Sequence, residues 1–315
     1  MRALVLNDRL TRISNYPDPG PSAGESLVCV KLAGICGTDL ELIRGYMTYR
    51  GVPGHEFVGE VVASPNQVLV GQRVAGEINA ACGRCAACVD GLGRHCANRS
   101  VLGIVARDGA FADYLALPER NLRTLPDAIT DEAAVFIEPV AAAYEIFDQV
   151  PLRRDARILV LGDGRLGAIV ATVLKAEAYE PIVGGHHPEK LERLEALGLK
   201  VELEDKLQTG FDVVVDCTGN SAGINRALTL VRPRGSLILK STAAAAAPFN
   251  LAPIVINEVT VVGSRCGRFE PAIEAIASGK VDPRSLIDGT YPLDDHDTAF
   301  KAAADPSNFK ILLRM

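Results

Sequence analysis

The residues best suited to chemistry lie between Gly34 and Gly59, in GICGTDLELIRGYMTYRGVPGHEFVG. Cys36 offers a thiolate and Thr38 a hydroxyl, while His55 and Glu56 offer an imidazole and a carboxylate side by side. Thiolate, imidazole and carboxylate together suit a borderline-soft cation such as zinc. Cys36 and His55 are nineteen residues apart, so the chain must fold back to unite them. A catalytic zinc takes three protein ligands and keeps one position open, which calls for a further donor. Glu138 is a candidate, because a carboxylate in the apolar run FIEPV needs a partner or a metal if it is buried.

A second constellation, CGRCAACVDGLGRHC, holds Cys82, Cys85, Cys88 and Cys96. Two CxxC steps and a fourth Cys eight residues later can close around one ion as a four-thiolate tetrahedron. Such a site leaves no room for substrate, so its role is structural: it pins a lobe with little core of its own. The alternative is a set of free buried thiols, but three cysteines at two-residue spacers favour the metal. The other cysteines are Cys29, Cys36, Cys217 and Cys266, and in a reducing compartment the cluster reads as a metal site, not a disulfide framework.

The third motif is Gly162-Asp163-Gly164-Arg165-Leu166-Gly167, which follows the apolar run Ile158 to Leu161 and opens a helical stretch. In that setting GxGxxG reads as a dinucleotide-binding loop. Gly162 makes the tight turn, Gly164 admits the pyrophosphate to the helix N-terminus, and Gly167 allows close helix packing. A second strand, PIVGG, ends where an NAD site places an acid for the ribose 2′-hydroxyl. Here the residues are Gly184, Gly185, His186 and His187, with no acid until Glu189. Two imidazoles in place of a carboxylate favour NADP over NAD, and Gly185→Asp is then expected to shift the preference toward NAD. If both His are simply solvated residues at a helix start, the chain is indifferent.

These groups need two kinds of scaffold. From Met1 to about Arg123 short alternating runs such as LVCVKLAGI and FVGEVVA are separated by turn residues, which predicts a β-rich region. DEAAVFIEPVAAAYEIFDQV is helical in period. Beyond it, FDVVVDCTG, GSLILKS and VTVVGS continue a doubly wound parallel α/β sheet. A net charge of −6 argues against nucleic-acid or anionic-membrane binding. The start of the chain lacks a signal peptide's apolar core and no stretch approaches a membrane span, so a cytosolic (cytoplasmic) protein is expected.

In this order, CGTD at Cys36, GHEFVGEVV at His55, the four-cysteine lobe, EP at Glu138, GDGRLG, DCTG at Asp216 and VVGSRCG at Val261 resemble the zinc-dependent medium-chain dehydrogenases/reductases, the alcohol, polyol and threonine dehydrogenase superfamily. The resemblance spans almost the whole chain. It implies a GroES-like β-rich catalytic domain from 1–138 and 267–315, with the zinc lobe at about 82–96, and a Rossmann domain at 139–266. It implies two zinc ions: a structural one on the lobe, and a catalytic one on Cys36, His55 and either Glu56 or Glu138. Thr38 matches the hydroxyl that bonds the substrate oxygen and begins proton removal. Leu166, Thr218 and Arg265 join Gly162, Gly164, Gly167, Gly185, His186 and His187 as cofactor contacts.

The implied reaction moves a hydride between an alcohol, polyol or sugar hydroxyl, or the matching carbonyl, and NADP or NAD. The implied partners are a small-molecule substrate and a second copy or more, as homodimer or homotetramer. Glu41 stands where the liver-type enzymes carry a relay His, as a relay end or a solvated helix residue. The chain is short for the family, so a substrate-covering loop is expected to be trimmed. Tyr46, Met47, Tyr49 and Phe57 lie around the expected pocket, as packing or substrate contacts, and Cys217 and Cys266 are expected to be small buried residues. Two other readings remain: the zinc-free quinone/enoyl reductase branch, and a non-catalytic NADPH-binding protein. Cys36, His55 and the four-cysteine lobe argue against the first, and the intact ligand set against the second.

Overall fold

The computed structural model describes residues 1–242 and 250–315. The chain forms two compact units, Met1–Glu138 with Phe269–Met315, and Pro139–Arg268. Among the described residues no helix is long and apolar enough to cross a membrane.

The first unit is built on a seven-stranded sheet. Its central strand, Glu25–Ile35, alternates half-buried and buried positions along most of its length and ends in a fully buried run. That pattern follows from one face packed on the core and one face wetter. Two antiparallel neighbours flank it, Glu56–Ala63 on one side and Lys310–Arg314 on the other. Gly34 pairs with Glu56, and Ile35 pairs with Ile311. This register carries three distant segments to one end of the sheet, where the central strand gives way to Cys36. Gly34 is needed there: a Cβ would stand 2.5 Å from Glu56 Oε2 and 2.8 Å from Val135 Cγ1.

The second unit holds a six-stranded sheet whose adjacent strands all pair in parallel. The strands run Lys200–Leu203, Ile182–Gly185, Ile158–Leu161, Phe211–Asp216, Val231–Leu239 and Thr260–Gly263 across the sheet. Numbered along this unit the order is 3-2-1-4-5-6, the doubly wound arrangement whose crevice lies where the order reverses. Ile158–Leu161 is buried at every position, as a strand covered on both faces must be.

The helical stretch after Asp127 is two helices. Thr130 Oγ1 accepts from Ala133 N at 3.3 Å and caps Asp131–Ala134, and a second helix runs Ile137–Gln149. Pro139 sits in the first turn of the second helix, where its missing N–H costs nothing.

Candidate active site and nucleotide site

Cys36 caps the helix Gly37–Ile43, and Asp39 closes the cap by accepting from Cys36 N at 2.8 Å. The other Asp39 oxygen accepts from Gly54 N at 3.2 Å and lies 3.3 Å from His55 Nδ1. Asp39 is fully buried, and His55 and Glu56 nearly so. One ligand atom from each of Cys36, His55 and Glu56 lies within 4.8 Å of the others. Burial disfavours a charged imidazole, but the Asp39 carboxylate and Cys36 outweigh it, and the His55 pKa is held well above its usual value.

The contact of Nδ1 with Asp39 is close enough for attraction but is not a well-formed hydrogen bond, since this nitrogen has no hydrogen-bond partner. A metal-bound imidazole usually directs its other nitrogen at a carboxylate, which fixes the ring. Soft and borderline donors gathered at this spacing, with a buried carboxylate behind the imidazole, fit a zinc ion.

Glu56 has a second partner. Lys310 Nζ donates to Glu56 Oε2 at 2.5 Å, and both side chains are 2% exposed or less. The ammonium also stands 5.5 Å from the centre of the Phe136 ring. Two opposite charges out of water hold each other, and neither tolerates loss of the other. Glu138 is half-buried in the first turn of Ile137–Gln149, outside the three-residue donor cluster. Thr38 Oγ1 is 3.9 Å from Cys36 Sγ.

The other expected contacts divide. Tyr49 is a buried packing residue that donates to the carbonyls of Val52 and Arg107, and Phe57 is buried in its strand. Tyr46 packs against the cluster of Leu6, Leu42 and Tyr49, whereas Met47 is half exposed. Glu41 pairs with Arg44 at 2.6 Å on a solvated helix face.

In the lobe, Cys85 Sγ lies 3.5 Å from Cys88 and 3.7 Å from Cys96, and Cys82 lies 4.0 Å from Cys88. Backbone N–H groups of Arg84 and Cys85 pull the Cys82 thiol down to about 6. Burial and the neighbouring thiols push Cys88 up to about 11. Four sulfurs this close cannot all ionise unless a cation joins them, so the donor set fits a closed zinc site.

In the second unit Gly162 turns at φ +117°, and a Cβ on Gly167 would collide with the Gly162 carbonyl. Gly164 caps the helix Arg165–Ala176, with Leu166 in its first turn. A cavity of about 450 Å³ is lined by Gly185, His186, Leu203, Glu204, Asp205 and Arg226. His186 Nε2 pairs with Glu204 at 2.7 Å, and Arg226 Nε is 3.7 Å from the same carboxylate. Thr218 Oγ1 donates to Asp216 at 2.7 Å, while Arg265 is exposed and its carbonyl accepts from Lys240.

The expected absence of acid at the end of the second strand is corrected here. The Asp163 carboxylate lies against Gly185 and accepts from His187 N at 2.8 Å and His187 Nδ1 at 3.0 Å. His187 is therefore not a merely solvated residue. Cys217 and Cys266 are half-buried, not fully buried. The sequence reading passed over Asp39, Asp163 and Lys310. Asp39 and Asp163 lie inside the quoted motifs, but nothing local marks Lys310.

Comparison with known proteins agrees with this architecture. Residues 22–127 match the alcohol dehydrogenase GroES-like domain, and residues 166–278 match the zinc-binding dehydrogenase domain. The sorbitol dehydrogenase of Bacillus subtilis is 30% identical over 98% of this chain and 95% of its own length. That of Halalkalibacterium halodurans is 28% identical over 99% of each. An alcohol dehydrogenase from Escherichia coli CFT073, solved with its cofactor NADH, superposes with a TM-score of 0.91 at 28% identity, covering 100% of this chain and 99% of its own. The chain belongs to the zinc-type medium-chain dehydrogenase/reductase family. It is an enzyme of the alcohol dehydrogenase class, an oxidoreductase of small-molecule hydroxyls that uses a nicotinamide cofactor.

Proposed function

We propose that this enzyme is a zinc-dependent dehydrogenase of alcohol, polyol or sugar hydroxyls that favours NADP. The observation that carries the reading is the buried group of Cys36, His55 and Glu56 backed by Asp39. Cys36 and His55 hold the catalytic zinc, with Glu56 or Glu138 as the acidic ligand, and Cys82, Cys85, Cys88 and Cys96 hold the structural one. When bound, the metal supplies Lewis-acid polarisation of a substrate oxygen and the nicotinamide supplies hydride acceptance. Asp39 orients the His55 ring. Lys310 keeps the Glu56 charge compensated and in place. Thr38 takes the hydroxyl proton and passes it outward.

The resemblance to sorbitol dehydrogenases supports a polyol-sized substrate. The preference for NADP is drawn from His186 and Arg226 in the cavity wall, which pair with Glu204, and from His187, which pairs with the Asp163 carboxylate lying against Gly185; Asp205 is a further acid in the same wall. Oxidation of a panel of alcohols, polyols, sugars and hydroxy-amino acids, with NADP and with NAD, tests the reading. Chelator-sensitive turnover with a higher kcat/KM for NADP is expected. Turnover that survives full removal of metal, or reduction of enones without any alcohol oxidation, would refute it.

A further inference from the structure

Lys240 is a buried cation at the carboxyl end of the six-stranded sheet. It is the first residue past the strand Val231–Leu239 and is 9% exposed. Its Nζ donates to Ala142 O at 2.5 Å, Ser264 Oγ at 3.1 Å and Arg265 O at 3.0 Å. An ammonium has three N–H groups and no acceptor, so these three oxygens match what it offers. Ser264 is the first residue past the neighbouring strand, Thr260–Gly263, and its N–H donates to Leu239 O at 2.9 Å. Ala142 belongs to the helix Ile137–Gln149, which meets the segment after that strand at two further points. Gln149 Nε2 donates to Gly263 O at 3.2 Å, and a Cβ on Gly267 would collide with Ala141 O. The segment 263–267 is thus held at both ends by the helix and in its middle by Lys240.

A doubly wound sheet of this order binds a dinucleotide across the carboxyl ends of its strands, one mononucleotide half to each side of the switch point. The end of Ile182–Gly185 marks the adenylate side, so the nicotinamide half falls to the ends of Phe211–Asp216, Val231–Leu239 and Thr260–Gly263, where Lys240, Ser264 and Arg265 stand. We propose that Lys240 is a positioning residue for hydride transfer, its ammonium holding Ser264 and Arg265 in the shape that receives the nicotinamide end of the cofactor. NADP and NAD carry the same nicotinamide, so the role holds for either. Thr260–Gly263 is the last strand of the sheet, and no strand of this chain beyond it fixes the segment that follows. Charge-assisted bonds from a buried ammonium supply that stiffness. Stiffness counts here because a misplacement of about 1 Å can cost about a hundredfold in rate.

Calorimetric titration of the full-length enzyme with the reduced cofactor, and with the matching fragment that lacks the nicotinamide, tests this role. The pair is NADPH with 2′-phospho-ADP-ribose or NADH with ADP-ribose, whichever binds more tightly. Lys240→Met keeps the unbranched side chain and removes the donor. It should weaken the dinucleotide about tenfold, as loss of a charge-assisted hydrogen bond does, and leave the fragment within about twofold. The emission of bound dihydronicotinamide at saturation should move toward that of the free cofactor. Lys240→Gln, which keeps a donor, should lie between wild type and Lys240→Met. Ser264→Ala removes one acceptor and leaves the ammonium, and should shift the ratio in the same direction by less. If Lys240→Met weakens both ligands equally, or neither, Lys240 is only a tie within the fold and the inference is wrong. A Gln variant no better than the Met variant overturns it as well. Should Lys240→Met fail to fold, Ser264→Ala decides: a lowered ratio upholds the inference and an unchanged ratio overturns it.

Discussion

Lys310→Met tests the charge balance around the site. Methionine keeps the unbranched shape of lysine and removes the ammonium, so the Glu56 carboxylate, 1% exposed, loses a partner 2.5 Å away. Breaking a buried pair from one side typically costs about 3–5 kcal/mol, because the remaining charge stays out of water. A native domain has only about 5–15 kcal/mol of stability in total, so the loss is a large fraction. At about 2–4 °C per kcal/mol for a domain of 150–250 residues, the melting temperature should fall by roughly 6–20 °C.

The chain has no tryptophan, so far-UV circular dichroism is the suitable probe. The double variant Lys310→Met/Glu56→Gln removes both charges and should recover at least about 2 kcal/mol relative to the sum of the single changes, since the two residues touch. A single variant within about 1 kcal/mol of wild type, or strict additivity in the double variant, would refute the claim that the pair is a coupled buried charge.

Other outcomes follow from the same geometry. Asp39→Asn keeps the shape behind His55 and removes the charge, and should lower metal affinity about tenfold to a hundredfold in competition with a chromophoric chelator; unchanged affinity would mean that Asp39 is only a helix cap. Cys85→Ser should remove one metal equivalent per chain by elemental analysis and lower thermal stability more than kcat/KM, and an unaltered metal content would dismiss the lobe as a zinc site. Burial raises the Glu25 carboxyl, but Ser22 N–H and the Arg107 guanidinium offset it, and the pKa ends below its usual 4.5. A carboxyl lowered on folding stabilises at pH above its unfolded pKa, and that contribution is lost as pH falls through the folded one. Glu25→Gln should therefore cost about 1–3 kcal/mol at neutral pH, and the difference from wild type should vanish in acid, as read from denaturant midpoints at both pH values. A difference that persists in acid would exclude the ion pair as its cause.

The sequence by itself carried whatever short spacing encodes. Cys82, Cys85, Cys88 and Cys96 belong to one loop, and one short segment is enough to bring their sulfurs together. The glycine loop was legible because a strand, a turn and a helix follow one another directly. The α/β class and the family could be read from the order of such motifs. Helical period was legible after Asp127, but the break before Ile137 was not, since nothing in the period distinguishes one helix from two in line.

Tertiary structure decided the partners. Glu56 and Lys310 are 254 residues apart and meet because the strands beginning at both flank Glu25–Ile35 in fixed register. Asp39 reads locally as a helix cap, and only the return of the chain at Gly54 places it behind His55. Asp163 reads as a variable position within a glycine motif, and only parallel pairing of Ile158–Leu161 with Ile182–Gly185 lays its carboxylate over Gly185. Spacing specifies contacts within a turn or a loop, whereas the pairing register of a sheet sets which distant charges share one buried volume.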